Sequence, residues 1–187
     1  MALELEYRWE HALVAVTIEA AAERCSECSL EKSTIQKLVY FLKILKVPMS
    51  YRFDMHPNGP SCPDIYDDIE WLLAEEVIEN IENSSSQSNY KPSNSIADIK
   101  DEFKNQLESY LPIVNDVCDS FGELIPSTLQ PITTLDFAYR WVKAGGGDGP
   151  WKAESVRKFK SIEKEKYSDS EIDNLYSKLV DAQLVTL

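Results

Sequence analysis

Apolar residues recur at three- and four-residue spacing along most of the chain, and these stripes predict helices. Leu13, Val16, Ala20 and Ala21, with Trp9 and Ala12 a turn earlier, predict a first helix from Arg8 to Arg24. The polar segment Cys25 to Glu31 predicts a turn. Ile35, Leu38, Val39, Leu42 and Leu45 form the stripe of a second helix from Lys32 to Lys46. Tyr40, Phe41 and Ile44 widen that stripe so far that the helix belongs at the centre of the core. Pro48 ends it. The spacing then changes. Tyr51 to Met55 places aromatic residues at alternate positions, as a strand does. His56 to Pro60 predicts a turn, with Asn58-Gly59 accepting positive φ and the flanking prolines stopping further pairing. Ser61 is placed as an N-cap, with Pro63 in the first turn and Asp64 near the free N–H groups. The third helix directs Ile65, Ile69, Leu72 and Leu73 inward, and Val77 to Ile81 follows as a strand.

Asn83 to Ser95 is rich in serine and poor in apolar residues. Either Asn89-Tyr90-Lys91 returns as a strand, making Val77 to Lys91 a wing-like hairpin, or the segment is a flexible linker. Beyond it, Ile99, Phe103, Leu107 and Tyr110 predict a helix that Pro112 kinks or breaks, with Val114 to Leu124 continuing it. Pro126 and Pro131 bracket a predicted loop, and Leu135, Ala138 and Val142 mark a helix from Thr134 to Ala144. Gly145 to Pro150 breaks the chain. Ser168-x-x-Glu171 is a capping-box pattern before Ile172, Leu175, Tyr176 and Leu179, a clear final-helix signal. The fold class expected is mainly α with minor β. Residues 1–95 form a winged-helix-like unit with a short β-hairpin. Residues 96–187 form a C-terminal helical extension packed on it, the two making one compact domain.

Composition narrows the setting. The 187 residues are 43% apolar and 27% charged, ordinary for a soluble globular protein. The longest apolar run near the start, Ala12 to Val16, is far shorter than the ~20 residues of a membrane span. Met1 to Glu10 alternates apolar and acidic groups, unlike a secretory leader. The expectation is a cytoplasmic protein without membrane contact. A net charge of −13 repels phosphate backbones at long range and makes nucleic acid an unfavoured partner. One stretch runs against that charge. Between Trp151 and Tyr167, six basic residues face three acidic ones. A solvated face explains this, and so does contact with a phosphate or an acidic partner.

No catalytic constellation emerges, and the expectation is a non-enzyme without a cofactor. Cys25-x-x-Cys28 lacks the second close pair of a strong zinc motif, although His56 and Cys62 would complete a set of four ligands. Reduced thiols in a reducing compartment are the simpler reading. Asp64, Asp67, Asp68 and Glu70 cluster on the third helix. Asp64 and Asp68, one turn apart on its exposed side, either offer a cation site or decorate a solvated face near the helix N-terminus. The glycines of 145–150 lack the Gly-Lys-Ser/Thr of a phosphate loop. His11 and His56 show no partner in the sequence, and His56 is expected to bond the turn backbone. Tyr66, Trp71, Trp141 and Trp151 are the aromatic candidates for an interface, with a core or half-buried place as the alternative.

Two segments carry a resemblance. Ile35-Gln36-Lys37-Leu38-Val39-Tyr40-Phe41-Leu42-Lys43 and Phe53-Asp54-Met55-His56-Pro57-Asn58-Gly59-Pro60-Ser61 resemble the YwgA-like uncharacterised bacterial proteins. More distantly they resemble the SocA-like, or Panacea, antitoxin domain. Those families pair a Leu-Gln-Lys-Leu-x-Tyr helix with a Tyr-Gly-Pro-Tyr-Ser turn. Here Ile35 replaces the first leucine, Asn58 the aromatic residue before Gly-Pro, and Ser61-Cys62 the Tyr-Ser after it. The matching positions Gln36, Lys37, Tyr40, His56, Gly59, Pro60 and Ser61 read as structural. The resemblance covers about Ser33 to Ile81 and, weakly, Phe159 to Leu184. It implies a mainly helical, winged-helix-like protein-interaction module. Such a module neutralises a toxin by direct contact or acts as an adaptor in proteolysis, with a toxin or protease component as its protein partner. A winged-helix DNA-binding regulator is the alternative, opposed by the acidic third helix.

Overall fold

The computed structural model describes residues 6–24, 30–81, 88–123, 125–146, 149–164 and 166–186. It is mainly helical with a minor β component, in the order α1 (Trp9–Arg24), α2 (Lys32–Ile44), β1 (Asp54–His56), β2 (Gly59–Ser61), α3 (Pro63–Ala74), β3 (Ile78–Asn80), β4 (Tyr90–Pro92), α4 (Ile96–Glu102), α5 (Lys104–Phe121), α6 (Pro126–Ala144), α7 (Trp151–Glu163) and α8 (Asp169–Asp181). The chain forms two compact units, 1–52 with 62–126 and 53–61 with 127–187.

In the first unit α1 is the central element. Residues His11 to Ile18 are all buried, because α2, α3, α4, α5 and β4 pack around it. A helix apolar on all sides needs such a jacket. Phe41 of α2 stacks on Phe121 of α5 with centroids 4.2 Å apart. Trp9 meets Phe103 and Tyr110 at 6.2 and 5.8 Å. Three helices followed by the β3–β4 hairpin give the winged-helix-like order. The hairpin is pinned from outside: Asn89 Oδ1 accepts the Leu30 N–H at 2.9 Å, and the Tyr90 N–H donates to Leu30 O at 3.0 Å. That anchoring favours paired strands at 78–80 and 90–92 over a linker. The two arms at 77–81 and 88–92 are described, and 82–87 lie outside the described residues. Helices α4 and α5 also belong to this unit.

Several local expectations change. The second helix stops at Ile44, where Leu45 is the C-cap and Lys46 takes a positive φ of 69°. Tyr51 precedes the first strand, which runs from Asp54 to His56. Prolines do not end that pairing, because Pro60 itself sits opposite Met55 in the β1–β2 ladder. Gly59 has a positive φ of 92°, whereas Asn58 is absent from the positive-φ residues. Ser61 is the last residue of β2. The N-cap of α3 is Cys62, with Pro63 at the first helical position, so the helix begins one residue later than expected. Leu73 is half-buried, leaving Ile65, Ile69 and Leu72 as its core contacts. Pro112 sits inside α5, which is interrupted instead at Phe103. Both Pro112 and Glu108, whose carbonyl loses its donor, are exposed, so water can satisfy that oxygen. Pro126 and Pro131 bracket no loop. Pro126 opens α6, where a missing N–H costs least, and Pro131 lies inside the helix as its sixth residue.

In the second unit, the β1–β2 hairpin rests on the start of α6. A Cβ on Gly59 would stand 3.1 Å from Thr134 Oγ1 and 3.3 Å from Thr133 Oγ1. Tyr139 of α6 and Tyr176 of α8 meet edge to face at 6.5 Å, and both hydroxyls bond Thr186. Arg140 reaches Asp136 and the carbonyl of Leu184. Helix α7 occupies the basic stretch that charge alone presents as a connecting segment. Ser155, Phe159 and Glu163 form its buried side, and Trp151 and Ile162 are half-buried. The capping box opens α8 as expected: Ser168 Oγ accepts the Glu171 N–H, and Glu171 Oε2 accepts the Ser168 N–H at 2.8 Å. Among the described residues no helix is long and apolar enough to cross a membrane.

Candidate functional site

The motif residues of α2 act inside the first unit. Gln36 is 3% exposed; its Oε1 accepts the Cys62 N–H at 2.9 Å and its Nε2 donates to Tyr66 Oη at 3.1 Å. The start of α3 has no side-chain cap of its own, so Gln36 fixes the backbone where the helix begins. Lys37 is 3% exposed and reaches the Ser33 carbonyl at 3.3 Å; burial pushes its pKa down. Tyr40 is buried beside Phe41. In the second unit, Gly59 and Pro60 are buried, Ser61 is half-buried, and His56 is exposed at the end of β1. Cys25 and Cys28 lie outside the described residues. Among the described residues, no group of three or more His, Cys, Asp and Glu is placed to hold a metal ion.

Among the described residues, Arg8, His11, Tyr51 and Asp68 bring together side-chain types that catalyse proton transfer. Asp68 does not lie on the exposed side of α3 with Asp64. It turns inward, and its carboxylate accepts Tyr51 Oη at 2.5 Å and the guanidinium of Arg8. His11 Nε2 lies 3.3 Å from Asp68 Oδ1. His11 Nδ1 accepts the Arg8 N–H at 3.2 Å, and the Arg8 guanidinium lies 3.0 Å from His11 Nε2. Trp71 stacks on the His11 ring at 3.9 Å, and Tyr7 meets Trp71 edge-on at 5.5 Å. Burial alone would raise the Asp68 pKa, but hydrogen bonds from His11 and Tyr51 and the charge of Arg8 outweigh it and hold the pKa below its ordinary value. Burial, then the bond to Asp68, drives the Tyr51 pKa upward. His11 and Asp68 are 3% and 4% exposed, so the faces a substrate would approach are covered. Among the described residues, no serine, threonine or cysteine bonds His11. The cluster joins the start of α1 to α3 and the segment before β1. Sequence offers no sign of it, because Arg8 and Asp68 are 60 residues apart.

Two grooves remain. In the first unit, a groove of about 540 Å³ is lined by residues that include Tyr66, Tyr90 and the Lys32–Glu70 ion pair, whose charges neutralise one another. In the second unit, a groove of about 480 Å³ runs between the end of α6 and one side of α7. Trp141 stands on its rim, 60% exposed, with Lys158 Nζ 4.9 Å from the ring centroid. Of the four aromatic candidates, Tyr66, Trp71 and Trp151 are half-buried and Trp141 alone is largely open. No protein-family model and no curated protein matches the chain.

Proposed function

We propose that the chain is a non-enzymatic protein-interaction module, antitoxin-like or proteolysis-adaptor-like, acting by binding a protein partner such as a toxin or a protease component. The observation that carries this reading is Trp141, a large aromatic side chain 60% exposed beside a groove. Exposed tryptophan is unfavourable in water and is enriched where binding energy concentrates. The alternative seat of activity, the His11–Asp68 cluster, is spent on internal hydrogen bonds and covered by Trp71. A DNA-binding role is weakened by α3, which exposes Asp64, Asp67 and Glu70 where a recognition helix would meet phosphates.

Co-expression of the tagged full chain with the product of the adjacent gene, followed by affinity capture, tests the reading. A toxic neighbour whose effect is relieved and which is retained on the chain supports it. A neighbour harmless alone, with no protein retained, overturns it.

A further inference from the structure

We propose that the Trp141 groove takes a short acidic segment of polypeptide, an apolar residue flanked by Asp or Glu. This deepens the interaction-module reading and rests on it. The groove has an apolar side and a cationic side. Trp141 and Val142 supply the first, and Gly145 and Gly146 line the groove beside them. The opposite wall is a single face of α7, formed by Glu154, Arg157, Lys158 and Ser161. Arg157 has a side chain 77% exposed and only a 3.8 Å approach to Glu154. Among the described residues, Lys158 has no carboxylate partner and is held over Trp141 by its cation–π contact. The other cations of this helix are committed elsewhere, Lys152 to Asp173 and Lys160 to Asp169. Among the described residues, the groove therefore presents two cations against the single carboxylate of Glu154, in a chain whose net charge is −13.

The dimensions select a peptide. From Glu154 to Ser161 the wall is about 10 Å long, enough for about three extended residues. Carboxylates on Arg157 and Lys158, with an apolar side chain against Trp141 between them, match that length. Among the described residues, a nucleic-acid strand would meet two cations there, with the Glu154 carboxylate beside them and the net charge of the molecule opposed.

Fluorescence anisotropy on the full chain tests this, with a labelled decapeptide bearing Asp-Leu-Glu between Gly-Ser flanks as the probe. The same peptide with Asn-Leu-Gln is the control. The acidic peptide is expected to bind about tenfold tighter at low salt, with the advantage shrinking as salt rises. Trp141→Ala should weaken it by about tenfold. Arg157→Glu with Lys158→Glu should abolish it, whereas Lys104→Glu with Lys178→Glu, the same charge change elsewhere, should leave most of it. Circular dichroism checks that each variant keeps its helices. Equal binding of the neutral peptide, no loss in Trp141→Ala, or tighter binding of a single-stranded oligonucleotide overturns the proposal. So does a native partner retained undiminished by the Arg157→Glu, Lys158→Glu variant, which would leave the interaction-module reading standing. Peptide binding in a chain that retains no native partner would do the reverse.

Discussion

Replacing Gly59 tests how the β1–β2 hairpin is seated. Two costs add at this position. Gly59 has a φ of +92°, a region that costs an L-residue about 1–2 kcal/mol. A new Cβ would also stand 3.1 Å from Thr134 Oγ1 and 3.3 Å from Thr133 Oγ1, both on fully buried residues of α6. Crowding of that kind costs about 1–3 kcal/mol. Gly59→Ala should therefore lose about 2–5 kcal/mol. Gly59→Val, β-branched and unable to adopt this φ without strain, should lose more, a large share of the ~5–15 kcal/mol that stabilises a typical domain. Urea denaturation of the full chain, followed by circular dichroism, reads both. A double-mutant cycle separates the causes. Thr134→Ala removes the nearer oxygen and should recover about 0.5–1 kcal/mol of the Gly59→Ala loss, while the backbone term stays. A Gly59→Ala protein within about 0.5 kcal/mol of the parent would refute the reasoning.

Other predictions follow from the same contacts. Because the folded Asp68 pKa lies below its ordinary value of 3.8, its contribution is complete above about pH 4 and is lost as pH falls through the folded value. Asp68→Asn should cost about 2–3 kcal/mol at pH 7, the half-exposed Arg8 side chain being able to turn to water, and should flatten the loss of stability on acidification. A parent and variant with parallel stability-against-pH curves would contradict this. In a Cys25→Ser, Cys28→Ser background, Cys62 and Cys118 should resist a thiol reagent until the chain unfolds. Both are buried, and burial pushes the Cys118 thiol up to about 12 and that of Cys62 upward as well. Fast labelling of the native protein would count against it. Ser168→Ala removes one half of the capping box and should lower stability by about 1 kcal/mol, measured in the same urea assay, with no change indicating that α8 needs no cap.

What sequence made legible depends on the range of the interaction. The stripe of α2, the capping box of α8 and the hairpin glycine are local patterns, and each stands where periodicity or turn chemistry puts it. Helix α7 was hidden because its apolar positions are sparse among lysines, so charge masks the period. Pro126 and Pro131 punctuate the sequence like a loop, yet the first opens α6 and the second lies inside it. The inward turn of Asp68 was illegible for a different reason. A carboxylate one turn from Asp64 looks solvated until Arg8, Tyr51 and His11 arrive from distant parts of the chain. Trp141 was one of four aromatic candidates, and only the packing of α6 separates it from the rest.

The β1–β2 hairpin has a consequence for synthesis. It is encoded between α2 and α3 of the first unit, yet its support lies in α6, with Pro57 and Gln130 73 residues apart. At ordinary translation speeds the ribosome needs roughly 4–15 s to make up that distance. Nascent hairpin must wait for α6 through that interval. A truncation ending at residue 126 would make the wait permanent, so neither half of this protein can be cut out as an unbroken stretch of gene.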